Sequence, residues 1–317
     1  MKNKFLGWYY RIVNKETSTN LVIIIGISND PKNPHAFIQV FDNISKKPVY
    51  IKYPAEDFKL CTDPFAVVIK DSYFSLDKVS LNIQTEEINL VGKVEFKDRV
   101  PCKYDIMGPF AKVKYLPCRH GLFTLHSTND GYIYINKEKI SFTGGTTYIE
   151  GDSGTSFPEK YIWAQSNKIQ NGVYKGMKTN LVLAIAKIPI CKKINIRGFF
   201  LNLLLKDQQY IFATYSGAKI KDLWIKKVKG GTLVDIKIKQ KEYILKIRIR
   251  SEKGHTFVYP EDGQMLKNIL EADNSNIILA IYKEKKVVGN RRNIETKKID
   301  LVFMGKYTNA ATEIKIK

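Results

Sequence analysis

The chain has 317 residues and a strongly basic composition, with 52 Lys and Arg residues against 31 Asp and Glu residues and a formal net charge of +21. Because 44% of the residues are hydrophobic and 12% are aromatic, there is enough apolar material for packed cores, which excludes global disorder. The longest apolar runs, Leu21–Ile27 and Leu181–Ile185, are far shorter than the roughly 18 residues that a transmembrane helix needs. The length predicts about two domains.

The basic residues are mostly lysine, since only eight are arginine, and they are spread along the whole chain. Nucleic-acid-binding proteins more often have a basic stripe with arginine or aromatic anchors, so nucleic acid is not the expected partner. A lysine-coated surface that provides solubility is the favoured explanation of the charge, and peripheral contact with an anionic membrane is the alternative. The four cysteines are widely spaced without a CxxC pair, and no signal peptide is recognised, which together predict a cytoplasmic protein.

Almost all of the chain has the pattern of β-strands. Short runs rich in β-branched and aromatic residues, separated by Asn, Asp, Gly and Pro clusters, predict strands at Leu21–Ile27, Ala36–Phe41, Phe65–Ile69 and Tyr132–Ile135. The stretch Tyr132–Phe142 predicts a hairpin that turns at residues 136–139.

The second half continues in the same way. Residues 223–250 predict a meander, with turns at Gly230-Gly231 and at residues 240–242. Apolar and charged residues alternate along it, which places Lys and Arg on the solvated face of an antiparallel sheet. The best helix candidate is Glu261–Glu271, in which Met265 and Ile269 share a face.

Strands at regular short spacing with so little helix predict an all-β fold of two barrels or sandwiches. No repeat or low-complexity linker marks the join between them. Pro189 and the basic run at residues 191–193 are the best candidates for it. The predicted domains are therefore residues 1–190 and residues 191–317.

Two motifs suggest chemistry but carry little weight. Gly151–Gly154 places a serine between glycines, as in chymotrypsin-like proteases, but no histidine has the context of a catalytic base, so the match is interpreted as coincidence. Cys118, His120 and His126 share strand parity, but a Cys/His metal site needs three or four ligands and no fourth partner is present. No metal site is predicted.

The stretch Tyr148–Asn167 is the richest in functional side chains. It contains Glu150 and Asp152, a Gly-Ser-Gly turn, Trp163, and two amide residues with the same strand parity as Trp163. Acid, amide and indole groups this close together suit a pocket that binds a polar head beside an apolar body. A turn with solvated carboxylates beside a core tryptophan has the same composition, and the residues alone leave both readings open.

At this stretch the chain resembles the tocopherol cyclase family, and the resemblance extends almost from end to end. The matching segments are Gly7–Tyr10, His35–Val40, Asp71–Ser75, Ile106–Phe110, Cys118–Gly121, Gly144–Asn167, Phe212–Tyr215 and Gly263–Met265. So many matches in the same order are more specific than any single motif.

The resemblance implies a two-part, lipocalin-like all-β fold with a pocket for a prenylated aromatic molecule. It also implies an acid-catalysed cyclisation of a prenylated hydroquinone, an isomerisation that requires no metal or redox cofactor. Such chemistry needs a carboxylic acid kept protonated by an apolar pocket, and aromatic rings to stabilise the cation.

Carried over by position, the resemblance implies that the acid is Glu150 or Asp152. It also implies a set of residues that bind the substrate: His35, Gln39, Tyr73, Phe74, His120, Trp163, Gln165 and Asn167. Core packing of the aromatic residues, turn capping by the carboxylates and a structural role for His120 are the alternatives.

The chain departs from the family pattern at Gly151, Ser153 and Pro117, where bacterial relatives have Lys, Trp and Glu. Three losses inside the two most distinctive segments suggest a retained fold with altered or lost catalysis. The leading expectation is cyclisation of a prenylated hydroquinone. The alternatives are a non-catalytic carrier of a lipophilic small molecule, hydration of the same alkene, and, most weakly, a basic surface module.

Overall fold

The computed structural model describes residues 4–16, 19–113, 116–191, 194–288 and 295–316. The regular secondary structure in these ranges is almost entirely β-strand, without an α-helix, and the helical turns are short 3₁₀ segments at Ala55–Asp57, Gly108–Lys112 and Thr214–Ser216. No helix in these ranges is long and apolar enough to cross a membrane.

The first sheet contains twelve antiparallel strands. They are β1 (Phe5–Val13), β2 (Asn20–Ser28), β3 (His35–Asp42), β4 (Val49–Pro54), β5 (Phe58–Thr62), β6 (Phe65–Ile69), β7 (Ser72–Ser75), β8 (Lys78–Gln84), β9 (Asn89–Val100), β10 (Cys118–Ile135), β11 (Glu138–Ser141) and β12 (Thr146–Gly154). Their order is β4-β3-β2-β1-β12-β10-β9-β8-β7-β6-β5, with β11 paired to β10. Val49 of β4 and Val67 of β6 lie near opposite ends of this order but share one apolar core, so the sheet curls around that core.

The second sheet contains eleven antiparallel strands. They are β13 (Tyr161–Ser166), β14 (Lys168–Ile169), β15 (Thr179–Cys191), β16 (Ile194–Leu205), β17 (Gln208–Ala213), β18 (Lys219–Val228), β19 (Gly231–Gln240), β20 (Tyr243–Glu252), β21 (His255–Glu261), β22 (Gln264–Val288) and β23 (Glu295–Lys315). Their order is β17-β16-β15-β13-β23-β22-β20-β19-β18, with β14 paired to β23 and β21 to β22. Leu201 of β16 and Val234 of β19 share a second core, so this sheet curls as well.

A third core lies between the two sheets. Successive side chains of a strand point to opposite faces, so Tyr10 and Ile12 of β1 enter the first core, while Tyr9 packs in the third. Trp163 and Phe257 of the second sheet pack in the same third core. Strands buried on both faces have near-continuous apolar sequences, which explains the runs without alternation in β1 and β2.

Several predictions from the sequence are confirmed. The fold is all-β and lipocalin-like, with two large antiparallel sheets. The hairpin of β10 and β11 turns between Ile135 and Glu138, and β18, β19 and β20 form the meander. Its charged face is solvated, and Arg248 pairs there with Asp235 at 2.7 Å.

The helix predicted at Glu261–Glu271 is wrong, because this segment contains the end of β21, a turn, and the start of β22. Asp262 and Gly263 form the turn with φ values of 53° and 84°. Asp-Gly with both residues in the left-handed region is a strong hairpin signal, and it outweighs the helical spacing of Met265 and Ile269.

The join predicted at residues 190 and 191 instead lies inside the second sheet. β15 and β16 pair with each other from Thr179–Leu205 to Cys191–Ile194, and Pro189 pairs with Asn195 within this ladder. Lys192 and Lys193 of the predicted join lie outside the described residues. The change of sheet comes between Gly154 at the end of β12 and Tyr161 at the start of β13. Because the chain passes from one sheet to the other through a short connection, the sequence contains no linker-like segment at this point.

Candidate active site between the two sheets

A cavity of about 190 Å³ lies between the two sheets. Its walls are mainly apolar and aromatic, and both sheets contribute to them. Representative lining residues are Trp8, Phe37, Phe157, Phe200, Phe257 and Tyr259. Four of the predicted site residues also line it: His120, Glu150, Asp152 and Trp163.

Strand pairing brings the polar residues of the first sheet together. In the β10–β12 ladder His120 lies opposite Asp152, and Leu122 lies opposite Glu150. In the β1–β12 ladder Tyr9 lies opposite Glu150. Since side chains alternate along a strand, Glu150 and Asp152 both project from β12 towards the second sheet. Trp163 of β13 meets them from the other side.

The His120 imidazole lies between the two carboxylates. Its Nδ1 is 3.0 Å from Oδ1 of Asp152, and its Nε2 is 3.5 Å from Oε2 of Glu150. The indole N–H of Trp163 donates to the same Oε2 of Glu150 at 3.1 Å. The Tyr148 hydroxyl also donates to this oxygen. Glu150 thus accepts two hydrogen bonds and lies within ion-pair distance of His120, and only 6% of its surface is exposed.

Burial dominates the charge state of Glu150. It raises the pKa of the carboxyl to about 7, against the lowering effect of the His120 charge, and the charge of Asp152 adds to the rise. For His120, burial lowers the pKa, but the charges of Asp152 and Glu150 outweigh it and the pKa is raised to about 9. Near neutral pH the site therefore contains a charged imidazole and a carboxyl group that can still carry a proton.

Asp152 differs from Glu150 in its partners. Its Oδ1 accepts from Cys118 Sγ at 3.3 Å and contacts His120. Burial and the charge of Asp152 raise the pKa of the Cys118 thiol, so the thiol stays protonated and serves as a donor. This arrangement makes Asp152 the group that orients His120, and it leaves Glu150 as the better acid of the predicted pair.

Sequence reasoning missed two further carboxyl groups, the buried Glu271 and the partly buried Glu313. Glu313 of β23 lines the cavity and lies opposite Trp163 in one ladder and opposite Glu271 of β22 in the other. The Tyr161 hydroxyl donates to Glu313, and the Tyr9 hydroxyl donates to Glu271 at 2.7 Å. In the sequence Glu271 ends the predicted helix and Glu313 belongs to no motif, so nothing distinguishes either from a solvated carboxylate.

Burial is also the main cause of their altered acidity. It raises the pKa of Glu313 to about 7, although the Tyr161 hydrogen bond lowers it. Burial and the neighbouring charge of Glu313 raise the pKa of Glu271 well above its usual value. The cavity is therefore flanked by one such acid from the first sheet and a pair from the second.

A metal ion is a poor fit to the described cluster, although donor atoms of His120, Glu150 and Asp152 lie within 4.8 Å of one another. Each carboxylate contacts a different nitrogen of the imidazole, and the two nitrogens point in different directions. An ion would need both carboxylates to converge on one of them. His126 is absent from the group, because register shifts between Leu122 and Ser127 interrupt the alternation of β10.

Six of the eight predicted substrate-binding residues lie outside the cavity lining, and three of these six, His35, Tyr73 and Phe74, pack within the first sheet. His35 bonds the Asn33 carbonyl at 2.7 Å and the Tyr50 hydroxyl at 2.9 Å, as a structural histidine does. Phe74 is fully buried in the first core, and the Tyr73 ring lies under the Lys78 ammonium group.

Gln39 is the fourth of these residues, and it joins the two sheets directly. Its side chain accepts from the Val258 N–H at 2.8 Å and donates to the Val258 carbonyl at 3.3 Å. Val258 itself lines the cavity, so Gln39 of β3 fixes the position of a wall that β21 contributes.

Gln165 and Asn167 also lie outside the cavity lining, in a buried contact between the sheets. Asn167 donates to the Leu125 carbonyl at 2.9 Å, and Asn180 donates to the same oxygen at 2.7 Å. Gln165 donates to the Asn167 side chain. Leu125 lies in the irregular part of β10, where the ladder to β12 leaves backbone groups without strand partners. The amides therefore bond the backbone of the other sheet.

Replacing Asn167 by Ala is expected to lower the free energy of unfolding by about 1–3 kcal/mol, because the Leu125 carbonyl loses a buried partner. Ligand affinity is expected to stay unchanged. Urea unfolding and a ligand titration measure the two effects, with Asn82→Ala on the exposed part of β8 as the control. A loss of affinity at unchanged stability would restore the predicted substrate contact.

Gly151 and Pro117, two of the positions singled out in the sequence, have different structural surroundings. A Cβ atom on Gly151 would lie 2.7 Å from Cδ1 of Trp8 and 2.9 Å from Cε2 of Phe123, because these rings fill the space beside β12. Pro117 and Leu116, in contrast, line the cavity and make this part of its wall apolar. Gly151 therefore leaves room for two aromatic rings beside β12, and Pro117 makes the adjoining part of the site wall apolar.

Replacing Gly151 by Ala is expected to destabilise the fold by about 1–3 kcal/mol through overpacking. The matched control is Gly121→Ala, because Gly121 lies directly opposite in the ladder and its Cβ would meet its nearest neighbour at 3.4 Å. Chemical denaturation of both variants measures the difference. Equal stabilities would contradict the close packing of Trp8 and Phe123.

Comparison with known proteins gives the fold and no family. The chain matches no protein-family model and no curated protein. It is similar to the crystal structure of CghA with Sch210972, at 8% identity over 99% of this chain and 88% of that chain, with a TM-score of 0.55. A second CghA structure gives 6% identity over the same shares, with a TM-score of 0.52.

A looser likeness is to kievitone hydratase from Nectria haematococca. The identity is 9%, the match covers 99% of this chain and 90% of that chain, and the TM-score is 0.48. At these identities the similarity to CghA shows a shared architecture over nearly the whole chain. The function of this chain has to be argued from its own site.

Proposed function

We propose that this chain is an enzyme that binds a lipophilic, alkene-bearing small molecule between its two sheets and protonates the alkene from Glu150. The observation that carries the proposal is a buried carboxyl group in an aromatic cavity, with its pKa raised to about 7 and its position fixed by Trp163 and Tyr148. A carboxylic acid that remains protonated near neutral pH is the group that such a reaction needs.

The substrate class proposed is a prenylated hydroquinone, in line with the resemblance to tocopherol cyclases. The Glu150 carboxyl gives its proton to the less substituted carbon of the prenyl alkene, which leaves a tertiary cation. The phenol oxygen then forms a bond with the cationic carbon and loses its proton, so the product is an isomeric chromanol. The faces of Trp163, Tyr9 and Phe200, which all line the cavity, stabilise the cation on its way.

Two further outcomes belong to the same site. Capture of the cation by water instead of the phenol would give a tertiary alcohol, which is hydration. Binding without proton transfer would make the chain a carrier of a lipophilic molecule. Both share the cavity with the proposed reaction and differ in the fate of the alkene.

The test uses geranyl-substituted methylhydroquinone as the probe, with the full chain in D₂O under reducing, anaerobic conditions. We expect a chromanol that carries one carbon-bound deuterium, detected by mass spectrometry after work-up in ordinary water. A deuterated tertiary alcohol would identify a hydratase, and bound but unchanged probe would identify a carrier. A probe that neither binds nor reacts would contradict the proposed substrate class.

A further inference from the structure

We infer that Glu313 is a second catalytic carboxyl group of this site, the base that takes the proton from the attacking hydroxyl group. This inference rests on the proposed function, and it assigns the two halves of the reaction to different sheets. Glu150 enters the cavity from β12 of the first sheet, and Glu313 enters it from β23 of the second.

Strand β13 provides a hydrogen-bond donor to each of the two carboxyl groups, Glu150 and Glu313. Tyr161 and Trp163 are two residues apart on β13, so they share a face and lie about 7 Å apart along the strand. The Trp163 indole donates to Glu150, and the Tyr161 hydroxyl donates to Glu313. β13 thus presents one donor to each acid, side by side on the cavity wall.

The surroundings of the two acids favour one shared proton. A hydrogen bond with Glu271 favours the ionisation of Glu313, but the negative charges of Glu150 and Asp152 disfavour it. Tyr161 acts in the opposite direction, because its hydrogen bond stabilises the ionised form. With two carboxyl groups of similar pKa in one low-dielectric space, a proton on Glu150 makes a charged Glu313 easier to sustain.

With the proton on Glu150 and the negative charge on Glu313, the site contains an acid and a base at the same time. Glu150 transfers its proton to the alkene carbon and becomes a carboxylate. The substrate oxygen bonds to the cationic carbon, its O–H bond breaks, and that proton moves to the Glu313 carboxylate. The substrate is isomerised without gain or loss of atoms, and exchange of protons with solvent between turnovers restores the starting state.

The test separates alkene protonation from ring closure. In D₂O, reversible protonation places deuterium on the alkene carbon of recovered geranyl methylhydroquinone, whereas ring closure gives the chromanol. For Glu313→Gln we expect ring closure to fall by about 100-fold, with the rate of deuterium exchange within about 3-fold of the natural chain. The control is Glu242→Gln, which alters a carboxylate that pairs with Lys283 outside the cavity.

Two results would overturn the inference. Natural ring closure in Glu313→Gln would show that Glu313 is not the base, and loss of both processes in a folded variant would place it in protonation or packing. If the variant does not fold, Tyr161→Phe provides the test. Loss of its hydrogen bond raises the pKa of Glu313, so the acidic limb of the ring-closure profile should move to higher pH, and an unmoved limb would refute the inference.

Failure of the inference is distinguishable from failure of the proposed function. If the natural chain neither exchanges deuterium into the probe nor closes the ring, the proposed function itself is wrong. If the natural chain does both and the Glu313 variants behave like it, only the role of Glu313 is wrong.

Discussion

Replacing Glu150 by Gln is expected to reduce turnover of geranyl methylhydroquinone by about 10²- to 10⁴-fold, the usual range for loss of a general acid. Glutamine has nearly the same shape, and its oxygen can still accept from the Trp163 indole and the Tyr148 hydroxyl. The affinity for the probe should therefore change little. Product formation and a binding titration at the same pH measure the two effects.

The matched control for this prediction is Glu87→Gln. Glu87 is an exposed carboxylate that pairs with Lys47 at 2.9 Å, and its side chain is 56% exposed. Both variants lose one negative charge, but only one of them loses the buried acid. If Glu150→Gln retained full turnover, the acid would have to be another carboxyl group of the cavity, and loss of both deuterium exchange and ring closure in Glu313→Gln would assign the role to Glu313.

The second large effect is expected in the pH dependence of stability. Folding raises the pKa of Glu150 and Glu313 to about 7 and that of His120 to about 9, so the folded chain binds more protons than the unfolded chain. Stability from such groups is fully present below their unfolded pKa and is lost as the pH rises through the folded value. Between pH 6.5 and 9 the free energy of unfolding should fall by on the order of a few kcal/mol.

His126 contributes to the pH dependence of stability with the opposite sign, but in a different pH range. Burial and the Lys178 charge lower its pKa to about 4, so its contribution is lost only as the pH falls from about 6.5 to 4. This range lies below the one in which Glu150, Glu313 and His120 act.

Urea unfolding at pH 6.5, 7.5 and 9 measures the expected fall in the free energy of unfolding. Glu150→Gln should make this fall smaller, because the variant loses one titrating group and one of the charges that raise the pKa of His120. Glu87→Gln should leave the pH dependence unchanged. A natural chain with a flat profile would contradict the buried, titrating cluster.

Much of the architecture is readable from local sequence. Alternation in β19 and β20 predicts a sheet with one solvated face, and the hairpin of β10 and β11 follows from its turn residues. The stretch Tyr148–Asn167 was also recognisable from local sequence, and its Glu150, Asp152 and Trp163 line the cavity. In these cases the relevant partners are close in sequence or lie on the same strand face.

Strand parity was a weaker guide to distance. Gln165 and Asn167 share a face with Trp163, but each step of two residues moves a side chain by about 7 Å along the strand. They therefore pass the end of the cavity and meet the irregular part of β10 instead. The odd or even position of a residue in a strand predicts the face of the sheet on which its side chain lies. The extent of a cavity along that face depends on how the two sheets pack.

The sequence by itself determined the strand content and the apolar faces, and it marked Glu150, Asp152 and Trp163 as candidates for a site. Tertiary structure alone decided that Glu313 joins them, because β23 pairs with β13 although Tyr161 and Glu313 are 152 positions apart in the sequence. It also decided the charge states of the site. A carboxyl group in a strand has an ordinary pKa until a second sheet removes its water, and in this chain the docking of the two curled sheets does so.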